Sequence, residues 1–228
     1  MKKILLLTMF TFLYLAGVSY ADTFELYSSG YQNGSNVSVA LPNGQADTFA
    51  AYFKMNFSGV DYMGYCVDYG AVNWNTYYYN YSMIAIPDNK PQYKAAAWLL
   101  ETYGGNSQTW GVNVQLAIWE VIFDYAENTH LITPYDGDFY LLVPPASSTY
   151  GAGSANLATV QGYVNEALAP HPDFNASSYR LLVSPNTEDY YGFDQQDFII
   201  KTPEPGMFAL LGIGLLGLVL VTRRKARS

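Results

Sequence analysis

Asn113-Val114-Gln115-Leu116-Ala117-Ile118-Trp119-Glu120-Val121-Ile122-Phe123-Asp124-Tyr125 has helical periodicity inside a chain that otherwise favours strands. At about 100° per residue, Trp119, Ile122 and Ile118 fall within roughly 60° of Gln115, while Glu120, Asp124 and Glu127 fall on the far side. The pattern predicts an amphipathic helix from about Val114 to Glu127, with Gln115 in the middle of its apolar face. A buried carboxamide left unbonded there costs a few kcal/mol. Gln115 therefore needs a partner.

Moving outward, Lys90-Pro91-Gln92-Tyr93 opens a second helical run, Lys94 to Glu101, closed by Gly104-Gly105. Proline suits a first turn and glycine the position just past a helix end. A third helix is expected over Ala155 to Leu168, stopped by Pro170. Before the helices, Thr23 to Ser29, Val37 to Leu41, Asp47 to Phe57 and Tyr62 to Asp68 read as strands. Turn residues at Gly30, Asn33-Gly34, Pro42-Asn43-Gly44 and Ser58-Gly59 separate them. Tyr179 to Ser184 and Asp197 to Ile200 read as late strands. Helices grouped inside a strand-rich chain, rather than alternating with strands, predict an α+β domain. The expectation is a sandwich- or barrel-like β fold with a helical insert.

The two ends carry addresses. Residues 1–21 combine Lys2 and Lys3, an apolar run and Ser19-Tyr20-Ala21, the layout of a secretory signal peptide cleaved after Ala21. At the other end, Gly206 to Val221 is an apolar run about 24 Å long as a helix, followed by Arg223, Arg224, Lys225 and Arg227. A transmembrane helix at 206–222 with this basic stop on the cytoplasmic side leaves residues 22–201 outside. That exported domain has 18 acidic and 5 basic residues, a net charge of −13. Such a surface has no basic face to neutralise phosphates, which excludes nucleic acid as a partner. Tyr77-Tyr78-Tyr79 and Tyr81 are read as edge-strand tyrosines, with a sugar- or partner-binding platform as the second reading.

Pro203, Glu204 and Pro205, the short apolar span and the terminal basic cluster, taken over 202–228, resemble the PEP-CTERM sorting tail of Gram-negative bacteria. The resemblance implies a substrate of an exosortase-type processing enzyme, anchored in the inner membrane before processing. It also implies a final place at the cell surface or in a matrix of exopolysaccharide and biofilm.

Cys66 is the only cysteine. Exported chains usually pair their cysteines or carry none, so a solitary thiol is buried, used between chains or committed to chemistry. A thiol and a glutamine carboxamide can condense to a thioester with loss of ammonia. Tyr65-Cys66-Val67-Asp68 and Gln115-Leu116-Ala117-Ile118-Trp119 resemble the Cys–Gln thioester (TQXA) domain of bacterial surface adhesins. That family has Thr before the glutamine where this chain has Val114, and Asn113 is the candidate N-cap in its place. The resemblance implies Cys66 as thiol and Gln115 as acyl donor in a non-enzymatic adhesin that attaches covalently to amines outside the cell. Trp119, Ile118 and Ile122 would exclude water, and Asp68 or Tyr65 would relay the proton. The other reading is a passive, exopolysaccharide-associated structural protein, with Gln115 bonded to backbone and Cys66 merely buried.

A cysteine hydrolase would need a histidine beside Cys66, and only His130 and His171 exist. Neither sits in a signature, and no cofactor motif or zinc spacing is present. Asp136-Gly137-Asp138 and the set Glu188, Asp189, Asp194 and Asp197 read as solvated acidic loops rather than a calcium site.

Overall fold

The computed structural model describes residues 22–41, 44–57, 59–68, 79–105, 111–125, 139–141, 155–184 and 196–202. The signal peptide, Pro203-Glu204-Pro205, the expected span at 206–222 and the basic stop Arg223, Arg224, Lys225 and Arg227 lie outside them. Among the described residues no helix is long and apolar enough to cross a membrane.

Among the described residues seven strands form one antiparallel sheet: β1 (Asp22–Leu41), β2 (Gly44–Phe57), β3 (Val60–Cys66), β4 (Tyr79–Ala85), β5 (Tyr140–Leu141), β6 (Tyr179–Val183) and β7 (Phe198–Lys201). Their order is β2-β3-β7-β6-β4-β1-β5, and β1 also pairs with β2. That extra pairing closes six strands on themselves, with β5 appended to β1. At the seam Phe24 of β1 stands opposite both Phe57 of β2 and Tyr79 of β4. Closure removes the exposed edges that an open sheet of this length would present.

Among the described residues the helices are α1 (Pro91–Tyr103), α2 (Gly111–Phe123) and α3 (Leu157–Ala167), with a 3-10 turn at Ala176–Ser178. Pro91 starts α1 as expected, and Gly104 caps it. The left-handed residue is Gly105, at φ +73°. Asn156 caps α3, its side chain accepting from the Thr159 N–H at 3.1 Å. α2 packs on β1, β2 and β3 and lies against α1 and α3, which makes it the central helix.

Two expectations change. The turns read at Gly30 and Asn33-Gly34 do not end a strand. β1 runs through them, and its pairing with β2 shifts register between Leu26 and Tyr31 and between Gln32 and Ser35. The turn residues are absorbed as bulges. Tyr79 and Tyr81 lie in β4, which pairs on both sides, with β6 and β1, so it is not an edge strand, while Tyr77 and Tyr78 lie outside the described residues. Tyr81 is 2% exposed and its hydroxyl donates to the Gln196 carbonyl at 2.7 Å. It belongs to the core rather than to a binding platform.

Candidate functional site

The face of β2 that carries Phe53, Met55 and Phe57 points into the core, and alternate residues point out. Phe53 stands opposite Gly64 in β3, so Gly64 and Cys66 share that inner face. Phe198 of β7 stands opposite Cys66, and its ring meets Phe53 edge-on at 6.1 Å. Tyr65 points to the other side, where it stacks on Tyr52 at 4.9 Å. Neighbouring strand residues face opposite ways, so Tyr65 cannot relay a proton from the Cys66 thiol.

The main chain of Cys66 is placed by where the ladders end. Val67 N–H donates to the Asp197 carbonyl at 3.0 Å, which makes the adjacent Cys66–Phe198 pair the non-bonded kind. The N–H and C=O of Cys66 therefore point away from β7, towards β2. The β2–β3 pairing stops at Phe53 opposite Gly64, two residues too early to meet them. Gln115 takes that place. Cys66 N–H donates to Gln115 Oε1 at 2.9 Å, and Gln115 Nε2 donates to the Cys66 carbonyl at 2.8 Å. The side chain of a helix thus acts as one more residue of a strand, across 49 positions of sequence. Both residues are 0% exposed.

Burial pushes the Cys66 thiol well above its usual range, and the Asp68 carboxylate raises it further. The sulfur is therefore a neutral thiol. Asp68 also ends the β3–β7 ladder: its Oδ1 accepts from Asp197 N–H at 2.7 Å, and its carbonyl accepts from Gln196 Nε2 at 3.0 Å. Asp197 in turn accepts from Ser184 N–H through Oδ1, so it is structural rather than part of a solvated loop.

Of the side chains expected to exclude water, Ile118 and Trp119 are fully buried while Ile122 is only half-buried. Every residue from Gly111 to Val121 is buried, including Glu120 at 0%, and Asp124 is 1% exposed. The side of α2 expected to face water faces protein instead, because α2 is enclosed by strands and two helices. Asp124 accepts from Phe139 N–H at 3.2 Å and ties β5 to the end of α2. Asn113 is not an N-cap. It lies in the first turn, and its Oδ1 accepts from Asn156 N–H at 2.8 Å, joining α2 to the start of α3.

His171 stacks on Trp98 at 4.1 Å, and its Nε2 lies 2.7 Å from the Glu166 carbonyl oxygen. His130, Asp136-Gly137-Asp138, Glu188, Asp189 and Asp194 lie outside the described residues. What sequence reasoning did not find is the detail of the contact, in which Gln115 engages the main chain of Cys66 at the end of a ladder. The early stop of the β2–β3 pairing has no local sequence signal.

At its C-terminal end the domain is clamped. Thr202 donates to the Ser178 carbonyl through both N–H and Oγ1, at 2.8 and 2.9 Å. Lys201 Nζ meets Glu101 Oε2 at 2.6 Å, and the Tyr179 hydroxyl donates to the same carboxylate. Those two donors hold the Glu101 carboxyl below its usual range, the lysine contributing first.

Residues 201–225 match the PEP-CTERM protein-sorting motif. The chain therefore carries a sorting tail, which implies export, membrane anchoring and then processing by exosortase. No curated protein and no solved structure matches the chain.

Proposed function

We propose that this is a surface-anchored attachment protein whose Cys66 and Gln115 condense to an internal thioester, held ready for an amine outside the cell. The observation that carries the reading is the paired hydrogen bonding of the Gln115 carboxamide to Cys66 in a fully buried site. The two bonds fix the Gln115 carboxamide on the main chain of the residue that carries the thiol. Cys66 N–H polarises the Gln115 carbonyl and would hold the oxyanion of a tetrahedral intermediate.

The step balances without any other reagent. Sγ bonds to the carboxamide carbon, the C–Nε2 bond breaks, and the thiol proton leaves on that nitrogen as ammonia. A neutral thiol is a weak nucleophile, so proximity and orientation must supply the acceleration. Loss of Nε2 gives up its bond to the Cys66 carbonyl. The acyl oxygen can keep the bond from Cys66 N–H, which leaves the acyl carbon polarised towards an incoming amine. Burial against Ile118 and Trp119 protects the thioester from hydrolysis.

Methylamine trapping tests the reading. The amine should add to Gln115 as the methylamide, and Cys66 should become open to alkylation in step with it. Absence of a Gln115 adduct under conditions that leave the fold intact favours the passive exopolysaccharide-associated protein. In that case the two hydrogen bonds simply satisfy a core glutamine.

A further inference from the structure

A second feature stands apart from the Cys66 site and does not depend on the thioester. A cavity of about 280 Å³ lies between the end of β4, the start of α1 and the 3-10 turn. Its walls include Ile86, Lys94, Phe174, Asn175, Ser177 and Arg180. Two of the five basic residues of the −13 domain therefore line one cavity.

Arg180 is bonded differently from three of the lysines. Lys54, Lys201 and Lys94 each face a carboxylate, at 2.8, 2.6 and 3.1 Å. Arg180 meets none among the described residues. Its Nη1 donates to the carbonyls of Ser177 at 2.6 Å and Tyr179 at 2.7 Å. Those two bonds use both Nη1 hydrogens and fix the guanidinium plane. Nη2 and Nε remain to donate in the paired geometry that a carboxylate accepts. Lys94 has one contact, to Asp88 at 3.1 Å, and its other protons are available.

The geometry points to a binding site for a carboxylated sugar ring, a uronate, with its carboxylate on Arg180 and Lys94 and its ring against Phe174. The cavity is just below the roughly 300–1,000 Å³ of ordinary small-ligand sites, so it suits one ring-sized group. Apolar Phe174 and Ile86 offer a face for ring C–H bonds, while Asn175 and Ser177 offer polar atoms to hydroxyls. A singly charged carboxylate is favoured over phosphate because Asp88 lines the same cavity and the domain is strongly acidic. Repulsion grows with ligand charge.

Binding is measured by calorimetry on the full-length chain in neutral detergent, with methyl galacturonoside, one singly charged ring, as probe. Neutral methyl galactoside, inorganic phosphate and the ringless carboxylate propionate are the comparisons. Saturable binding of methyl galacturonoside, at least tenfold tighter than any comparison, is expected. Arg180→Gln should weaken it at least tenfold, and Lys94→Gln several-fold. Asp88→Asn should tighten it about threefold by releasing Lys94, a gain that misfolding cannot mimic. No saturable binding, equal binding of any comparison, or an unchanged affinity in Arg180→Gln with weakening in Asp88→Asn overturns the assignment.

Discussion

Gln115 is hydrogen-bonded to the main chain of Cys66, and the effect of losing those bonds is measurable. Cys66→Ala and Gln115→Ala both prevent a thioester, but only the second removes the groups that satisfy Cys66 N–H and C=O. Orphaned buried polar groups cost about 1–3 kcal/mol each. Gln115→Ala should therefore be less stable than Cys66→Ala by about 2–3 kcal/mol in urea unfolding, and equal midpoints would show that the two bonds carry no stability. The need for a partner was legible in the sequence, since Gln115 lies on an apolar helical face. The identity of that partner was legible only through the solitary Cys66 and the resemblance of the two segments. Glu120 and Asp124 were misread because periodicity reports one apolar face and is silent on what covers the other.

At the scale of elements, the site depends on close contact between β3 and β7. A Cβ on Gly64 would meet the Ile199 carbonyl oxygen at 2.2 Å, a backbone atom that no rotamer change can move. Gly64→Ala should cost about 3 kcal/mol as overpacking, read as a lower melting temperature. Since Cys66 lies two residues further along the same strand, the fraction of molecules that lose ammonia should fall with it. Stability equal to wild type would mean that the β3–β7 contact tolerates separation. The helices were placed within a few residues from Pro91, Gly104 and Pro170, because caps are local chemistry. β1 was split and the strand of Tyr79 and Tyr81 was read as an edge for the opposite reason. Bulges and two-sided pairing are decided by partner strands far away in sequence, and a tyrosine run looks the same in a core strand as on a surface.

For the whole molecule, the barrel and its address meet without a linker. The sorting motif begins at Lys201, which is also the last residue of β7, and Thr202 is still pinned to Ser178. Replacing Pro203-Glu204-Pro205 by three alanines should leave export intact and block conversion to the processed form, seen as accumulation of the larger species in the membrane fraction. Normal processing would remove these residues from the recognition step. The tail was legible because its three parts are contiguous, whereas closure of six strands into a ring was only partly so, as barrel or sandwich. The central claim concerns one covalent bond, and intact-mass measurement of freshly prepared protein tests it most directly. The account predicts wild-type protein lighter than its composition by one ammonia, with Cys66→Ala and Gln115→Ala each at full mass. A wild-type mass equal to its composition would contradict it.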